Sequence, residues 1–315
     1  MPKKLTILDI ARLSGVSKST VSRVLTHDPK VKAATRDRVE AVIAQHSYVP
    51  SKSAQSMRGG SPKVVGVILS RLQSPSENQA IGSMLPVLYA HGYDVVIMES
   101  QLDRKKTAEH LHVLQKRQVD GVIIFGFADM DMAQLHAWQG RAVVIAMNTD
   151  LVSSINYDNH GVIRAALHHL QTLGLSKIAF IGVNVSDVTT GQQRLNAYLE
   201  WSEEQGVTPC YQTGQLDHHS AYKLVDAVLQ PDTQAIVCAS DTLALGVIKR
   251  LQERGREEVM VTGVGGSPLL SFLFPNVHSI DPGYAQAGEK AAQLLIEHLN
   301  GQTSVTHLTQ FPLLT

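Results

Sequence analysis

Two sets of residues combine reactive types with telling spacing. Lys18, Ser19, Ser22, Arg23 and Thr26 stand at i, i+1, i+4, i+5 and i+8, which is one face of an α-helix. Val21, Val24 and Leu25 fall on the other face. Cations and hydroxyls sharing a helical face suit a polyanion. Arg and Lys match guanine O6/N7, and a hydroxyl serves either a base edge or a phosphate. The second set lies at the ends of apolar runs: Ser70-Arg71, Gly126-Phe127, Met147-Asn148, Val183 to Asp187, Ser240-Asp241 and Asp281 to Tyr284. Ligands of open α/β sheets sit beyond the carboxyl ends of the strands. This mix of polar, charged and aromatic groups suits a carbohydrate, with hydrogen bonds to hydroxyls and stacking on a ring.

Two details refine that ligand. Asp187-Val188-Thr189-Thr190-Gly191 precedes a helix carrying Arg194, and a helix start with free N–H groups favours an anion. Arg71 and Arg194 add two bidentate partners, while Glu77 on the first core helix accepts from sugar hydroxyls. A phosphorylated sugar therefore fits better than a neutral one. Other chemistry finds no support. Cys210 and Cys238 form no CxxC, His168 and His169 face different sides of one helix, and neither GxGxxG nor GxxxxGK[ST] occurs. No nucleophile and base pair by spacing, so no catalytic residue, metal or cofactor is expected.

The charge is uneven. Formal net charge is zero, yet residues 1–60 hold eleven Lys and Arg against four acidic residues, a net of +7, and the remainder carries −7. A basic head on an acidic body implies a head that meets a polyanion. No apolar run reaches 18 residues, and MPKKLTILDIARL has no continuous apolar core. The expectation is a cytoplasmic, nucleoid-associated protein with no membrane partner.

The elements that must position these residues follow from periodicity. Residues 6–46 read as three short helices. Thr6 caps the first with Asp9 three residues on, Gly15 ends it, and Ser17 caps the second. Two helices joined by about three residues with a glycine make a helix-turn-helix. The third runs from Ala34 to His46, with Lys32 a poor cap at its start. SYVPSKSAQSMRGGSP is a connector with a short helix after Pro50. From Lys63 the runs VVGVIL, YDVVIM, GVIIFG, AVVIAM, KIAFIGV, AIVCAS and VMVTGVG alternate with helical stretches. That rhythm predicts a parallel sheet covered on both faces, here in two lobes. SINYDNHG looks like the crossover, with its helix from Val162 to Leu173. The boundaries are 1–48 for the head, 49–62 for the connector and 63–315 for the core.

LTILDIARLSGVSKSTVSRVL with TRDRVEAVIAQHSYVPSKSAQSMRGG closely resembles the head of the lac/gal repressor family. YDNHG, HLQTLGLSKIAFIG and SDTLALG extend the resemblance over the whole chain. It implies an α/β fold: a three-helix helix-turn-helix head plus a two-lobed, doubly wound core like periplasmic sugar-binding proteins. It further implies a homodimeric repressor on operator double-stranded DNA, with Lys18, Ser19 and Arg23 reading bases. Thr6, Ser17, Thr20, Ser22, Thr26, Lys30 and Thr35 are the other residues expected at the DNA. The connector would fold into a hinge helix on the operator, with Met57 as the minor-groove wedge where the family has leucine, and Ala54 allowing close approach. The chain shows no leucine heptad tail after FPLLT, so a dimer is expected.

Within the family, RLQSPSEN, SDVTTG, ASDTLALG and DPGYAQAG resemble the trehalose-responsive branch. That likeness implies trehalose 6-phosphate as effector, held by Arg71, Glu77, Gly126, Asp187, Val188, Thr189, Thr190, Arg194, Asp241, Thr242 and Tyr284. Met147 stands where that branch carries arginine, with Asn148 beside it. The expected reading is a repressor released from its operator by trehalose 6-phosphate; the alternatives are a regulator of another sugar or one that, like the purine-responsive branch of the family, tightens on DNA with its ligand. The sign of a gel shift separates release from tightening.

Overall fold

The computed structural model describes residues 5–46, 48 and 63–313. Two compact units divide the chain, one ending at Lys63 and one starting at Val64. The expected hinge segment, with Ala54 and Met57, lies outside the described residues.

The first unit contains α1 (Ile7–Ser14), α2 (Lys18–Leu25) and α3 (Ala33–Gln45). Thr6 and Asp9 form a capping box: Thr6 N donates to Asp9 Oδ2 at 2.8 Å, and Asp9 N donates to Thr6 Oγ1 at 3.4 Å. Gly15 closes α1 at φ 68°, where a Cβ would be strained. Ser17 Oγ accepts from Thr20 N at 3.1 Å and starts α2 almost at once. The short turn crosses α1 and α2 so that Ile10, Ala11, Val21, Val24, Val39 and Tyr48 share one small core. Lys32 precedes α3 without a side-chain cap. In so small a unit one cap is a large share of stability. Ser17→Ala is expected to lower the head's stability by about 1 kcal/mol, read as a lower melting temperature of its transition in calorimetry of the full chain.

The second unit holds two parallel sheets. In chain order its elements are β1 (Val64–Leu69), α4 (Pro75–Ala90), β2 (Asp94–Glu99), α5 (Arg104–Lys116), β3 (Gly121–Phe125), β4 (Ala142–Ile145) and β5 (Ser153–Tyr157). There follow α6 (Asn159–Thr172), β6 (Ile178–Val183), α7 (Arg194–Glu204), β7 (Tyr211–Gly214), α8 (His218–Val228), β8 (Ala235–Cys238) and α9 (Asp241–Arg254). The chain closes with β9 (Met260–Val264), α10 (Pro268–Leu273), β10 (His278–Ile280), α11 (Tyr284–Leu299) and β11 (His307–Gln310). The first lobe's sheet runs β11-β5-β4-β3-β1-β2 and the second lobe's runs β10-β9-β8-β6-β7. Every strand pair is parallel. Central strands such as β3 and β8 are buried along their whole length, which is why they read as unbroken apolar runs.

Three segments cross between the lobes. β5 leads into α6, β10 leads into α11, and the chain after β11 returns to pair Leu313 with Asp281. Asp158 N donates to Gln310 O, and Leu313 N to Asp281 O, both at 2.8 Å. The crossover helix starts earlier than the expected Val162. Asp158 Oδ1 accepts from Gly161 N at 2.7 Å and caps α6 at Asn159. Gly161 is thus inside the first turn, where a Cβ would meet Asp158 Oδ2 at 2.0 Å. In the first lobe, α4 and α11 touch backbone to backbone: a Cβ on Gly288 would lie 1.9 Å from Ala80 O.

Candidate functional site

On the head, Lys18, Ser19 and Arg23 are exposed on one side of α2 while Val21 and Val24 face the core. Arg23 Nε lies 3.9 Å from Asp28 Oδ2, a loose pair between an exposed cation and a half-buried carboxylate. Ser17 Oγ is shared among the α2 cap, Ser19 Oγ and Thr20 Oγ1, the last two at 2.8 Å. Thr26 Oγ1 donates to Ser22 O and Arg23 O at 3.2 and 3.1 Å and ends the helix. Thr6 and Lys30 are exposed, and Thr20, Ser22 and Thr35 are half-buried. The result is a short cationic, hydroxyl-bearing ridge backed by an apolar core.

In the core, a cleft of about 510 Å³ opens where the carboxyl ends of both sheets meet. Arg71, Glu77, Gly126, Asn148, Asp187, Val188, Thr189, Thr190, Arg194 and Tyr284 all line it. An adjoining space of about 620 Å³ shares Arg71, Thr190, Arg194 and Tyr284 and reaches Asp241 and Thr242. The structure thus gathers all twelve of the expected effector residues along one continuous cleft.

Their local bonds separate groups that build the cleft from groups left open to a ligand. Arg194 is 1 % exposed. Its Nε donates to Asn159 Oδ1 at 2.9 Å, Nη1 to Ala239 O at 2.5 Å and Nη2 to Tyr284 Oη at 3.2 Å. One guanidinium therefore ties α7 to α6, to the residue that follows β8 and to α11. Arg71 is half-buried, and its Nε is buried with no hydrogen-bond partner. A donor left in that condition is costly, and an incoming acceptor removes the cost.

Glu77 accepts from Ser70 N at 2.8 Å and from Ser70 Oγ. Burial pushes its carboxyl up, and the Ser70 donors oppose the shift. Asp241 accepts from Ser267 N at 2.8 Å and from Ser279 Oγ at 2.7 Å. Burial raises its carboxyl too. Asn148 Oδ1 accepts from Asn156 Nδ2 and, at 3.4 Å, from Ser154 Oγ.

The turn at 187–191 opens a π-helical stretch, Val188–Gln193, that runs into α7, and it corrects one expectation. Its N–H groups are not free: Asp187 Oδ1 accepts from Thr189 N and Thr190 N, both at 3.0 Å. Both threonine hydroxyls also donate to Asp187, at 2.9 and 2.5 Å. The anion at this turn is the protein's own carboxylate, and the open guanidinium edge of the cleft is at Arg71.

Sequence reasoning missed Tyr157 and Asn159. Tyr157 meets Tyr284 edge to face, centroids 4.9 Å apart, and desolvation pushes its phenol far up. Both belong to YDNHG, which read as a crossover; placing the helix start at Val162 hid Asn159 as a cleft residue. Gln79 was missed as well. Its Nε2 donates to Gly265 O at 2.9 Å and so bridges the two lobes across the cleft. Among the described residues no group of three His, Cys, Asp or Glu is placed to hold a metal ion. No helix there is long and apolar enough to cross a membrane.

A helix-turn-helix head on a two-lobed, parallel-sheet core with a cleft between its lobes is the build of a bacterial transcription regulator. Residues 6–51 match the family described as bacterial regulatory proteins, lacI family, and residues 167–314 match the periplasmic binding protein-like domain. The HTH-type transcriptional regulator TreR of Salmonella typhimurium is 45% identical over 302 residues, spanning 96% of each chain. The Escherichia coli protein of that name is 45% identical over 303 residues, again 96% of each. The trehalose repressor structure from Escherichia coli superposes with TM-score 0.79 at 39% identity, covering 81% of this chain and 100% of that one. The lac repressor dimer bound to operator shares the fold at TM-score 0.82 and 22% identity, covering 98% of this chain and 97% of that one. The chain belongs to the lacI family of bacterial regulatory proteins, as the resemblance of its head motif implied.

Proposed function

We propose that the chain is a homodimeric repressor that binds an operator through its heads and is released by a sugar phosphate, trehalose 6-phosphate, held between the lobes. One observation carries this reading: the cleft takes its walls from both lobes, so a ligand bonded to both fixes the angle between them. Arg71, with an unsatisfied buried Nε, supports an anionic ligand, and the surrounding hydroxyl, amide and carboxylate groups support a sugar. The relatives named for trehalose regulation support the choice of sugar. Leu269, Phe272 and Leu273 of α10 stand exposed, Phe272 at 82 %, which supports burial against a second copy.

The effector releases DNA by binding the DNA-incompetent state more tightly. Equal affinity for both states would shift nothing. Two heads in a dimer then fit half-sites one helical turn apart.

The test pairs calorimetry with gel shifts on duplexes selected from a random pool. Trehalose 6-phosphate is expected to bind and to weaken the selected complex at fixed salt. Lys18→Ala is expected to cost about 1–2 kcal/mol of operator binding while leaving effector binding intact. A wild-type chain that prefers no duplex over random DNA, with or without phosphosugar, would sink the reading. Tightening by the ligand would reverse the sign of the switch.

A further inference from the structure

The turn after β2 is built against the grain of its sequence. Gln101 and Leu102 are consecutive non-glycine residues with φ of 56° and 58°, a left-handed region in which a Cβ crowds the backbone. The surroundings hold both residues there. Ser100 N donates to Leu69 O at 2.8 Å and Asp103 N to Ser100 O at 3.0 Å. Gln101 Nε2 donates to Glu99 Oε2 at 3.1 Å, and Lys106 Nζ donates to Gln101 Oε1. Glu99 Oε1 is itself fixed by Leu72 N at 2.7 Å. Strained backbone persists where neighbouring contacts over-determine it, and such positions gather at functional sites.

What this turn presents is the Leu102 side chain. It lines the cleft, in company with Arg71, Ser74 and Phe127, and it is 48 % exposed. At that exposure it lies outside the buried apolar clusters of its lobe, so burial in the core does not account for the strain. From the other lobe, Val188 lines the same cleft and is 44 % exposed. The cleft therefore offers apolar groups from both lobes beside its polar ones. A pyranose needs both kinds of contact, because its rim carries hydroxyls and its faces carry C–H groups.

We propose that Leu102 is an effector-contact residue whose isobutyl group covers the C–H face of a bound sugar ring. The inference rests on the reading of the cleft as a carbohydrate site and adds a residue that sets its specificity. Polar groups such as Arg71 and Asn148 read the rim, and Leu102 excludes water from the face.

The test uses the full-length chain with Leu102→Asn and Leu102→Gly, two residue types that enter the left-handed region readily. Trehalose 6-phosphate and trehalose are titrated by calorimetry, and melting is followed without ligand. Both variants are expected to keep or raise the ligand-free melting temperature and to bind the better of the two sugars about fivefold more weakly, the contribution of roughly half a buried leucine. Unchanged affinity in both variants, with the wild type binding, would overturn the inference and leave the carbohydrate reading standing. A fall in ligand-free melting temperature alongside the lost affinity would mark Leu102 as a packing residue and overturn it too. A wild-type chain that binds neither sugar would overturn the carbohydrate reading and this inference with it.

Discussion

Arg194→Met is expected to destabilise the core by about 3–5 kcal/mol and to abolish effector binding at the same time. The substitution leaves Asn159 Oδ1, Ala239 O and Tyr284 Oη without their donor. Each buried group deprived of its partner costs about 1–3 kcal/mol. Methionine recovers some of this, because a cation 1 % exposed no longer has to be desolvated. The three acceptors still outweigh that relief, since they come from three different elements and cannot collapse onto one another. Arg194→Lys is expected to recover little, because one ammonium cannot span three acceptors that a planar guanidinium reaches together. Urea unfolding, followed with and without trehalose 6-phosphate, reads both effects. A methionine variant as stable as the wild type would show that the three bonds contribute nothing net.

The second large effect is steric. Gly288→Val is expected to cost about 3 kcal/mol or more, because its Cβ would need the space 1.9 Å from Ala80 O. That obstacle is backbone, so only separation of α4 from α11 relieves it. The two helices carry the buried residues Ala80, Met84, Ala287 and Ala291 of one cluster, and parting them exposes that surface. A glycine on the opposing helix, α4, gives a contrast. A Cβ on Gly82 meets nothing within 4 Å, so Gly82→Ala is expected to raise stability by about 0.5–1 kcal/mol. Scanning calorimetry of the two variants checks both signs. A tolerated Gly288→Val would mean that the helices separate freely.

The head was legible because local signals agreed with one another. Thr6, Asp9, Gly15 and Ser17 each took the capping role their types favour. The central strands were legible because burial on both faces leaves an unbroken apolar run, as in VVGVIL and GVIIF. Short strands were not. Tyr211–Gly214 lies at a sheet edge with half of it exposed, and His307–Gln310 buries only its last residue. Neither carries an apolar run to announce it.

The cleft could be placed because residues after strand ends gather at one side of a parallel sheet. What each residue does once there was harder to see. Asp187 sits two and three residues before the N–H groups it occupies, and periodicity does not show which acceptor takes them. Asn159 depended on a helix start that Asp158 moved forward by a side-chain bond. The bridge between Gln79 and Gly265 spans 186 residues of sequence, and no local pattern encodes so distant a pairing.

The order of the strands has a consequence for how the two lobes are joined. β1 and β11, the first and last strands of the core, both belong to the sheet that also holds β5. The other sheet is therefore an excursion of the chain, entered after Tyr157 and left again before Tyr284. It has no peptide link of its own to the head. Any displacement of the second lobe against the first is therefore carried by the three crossing segments and by the contacts across the cleft. The first lobe is thus the continuous frame of the core, and the second hangs from it by its crossings.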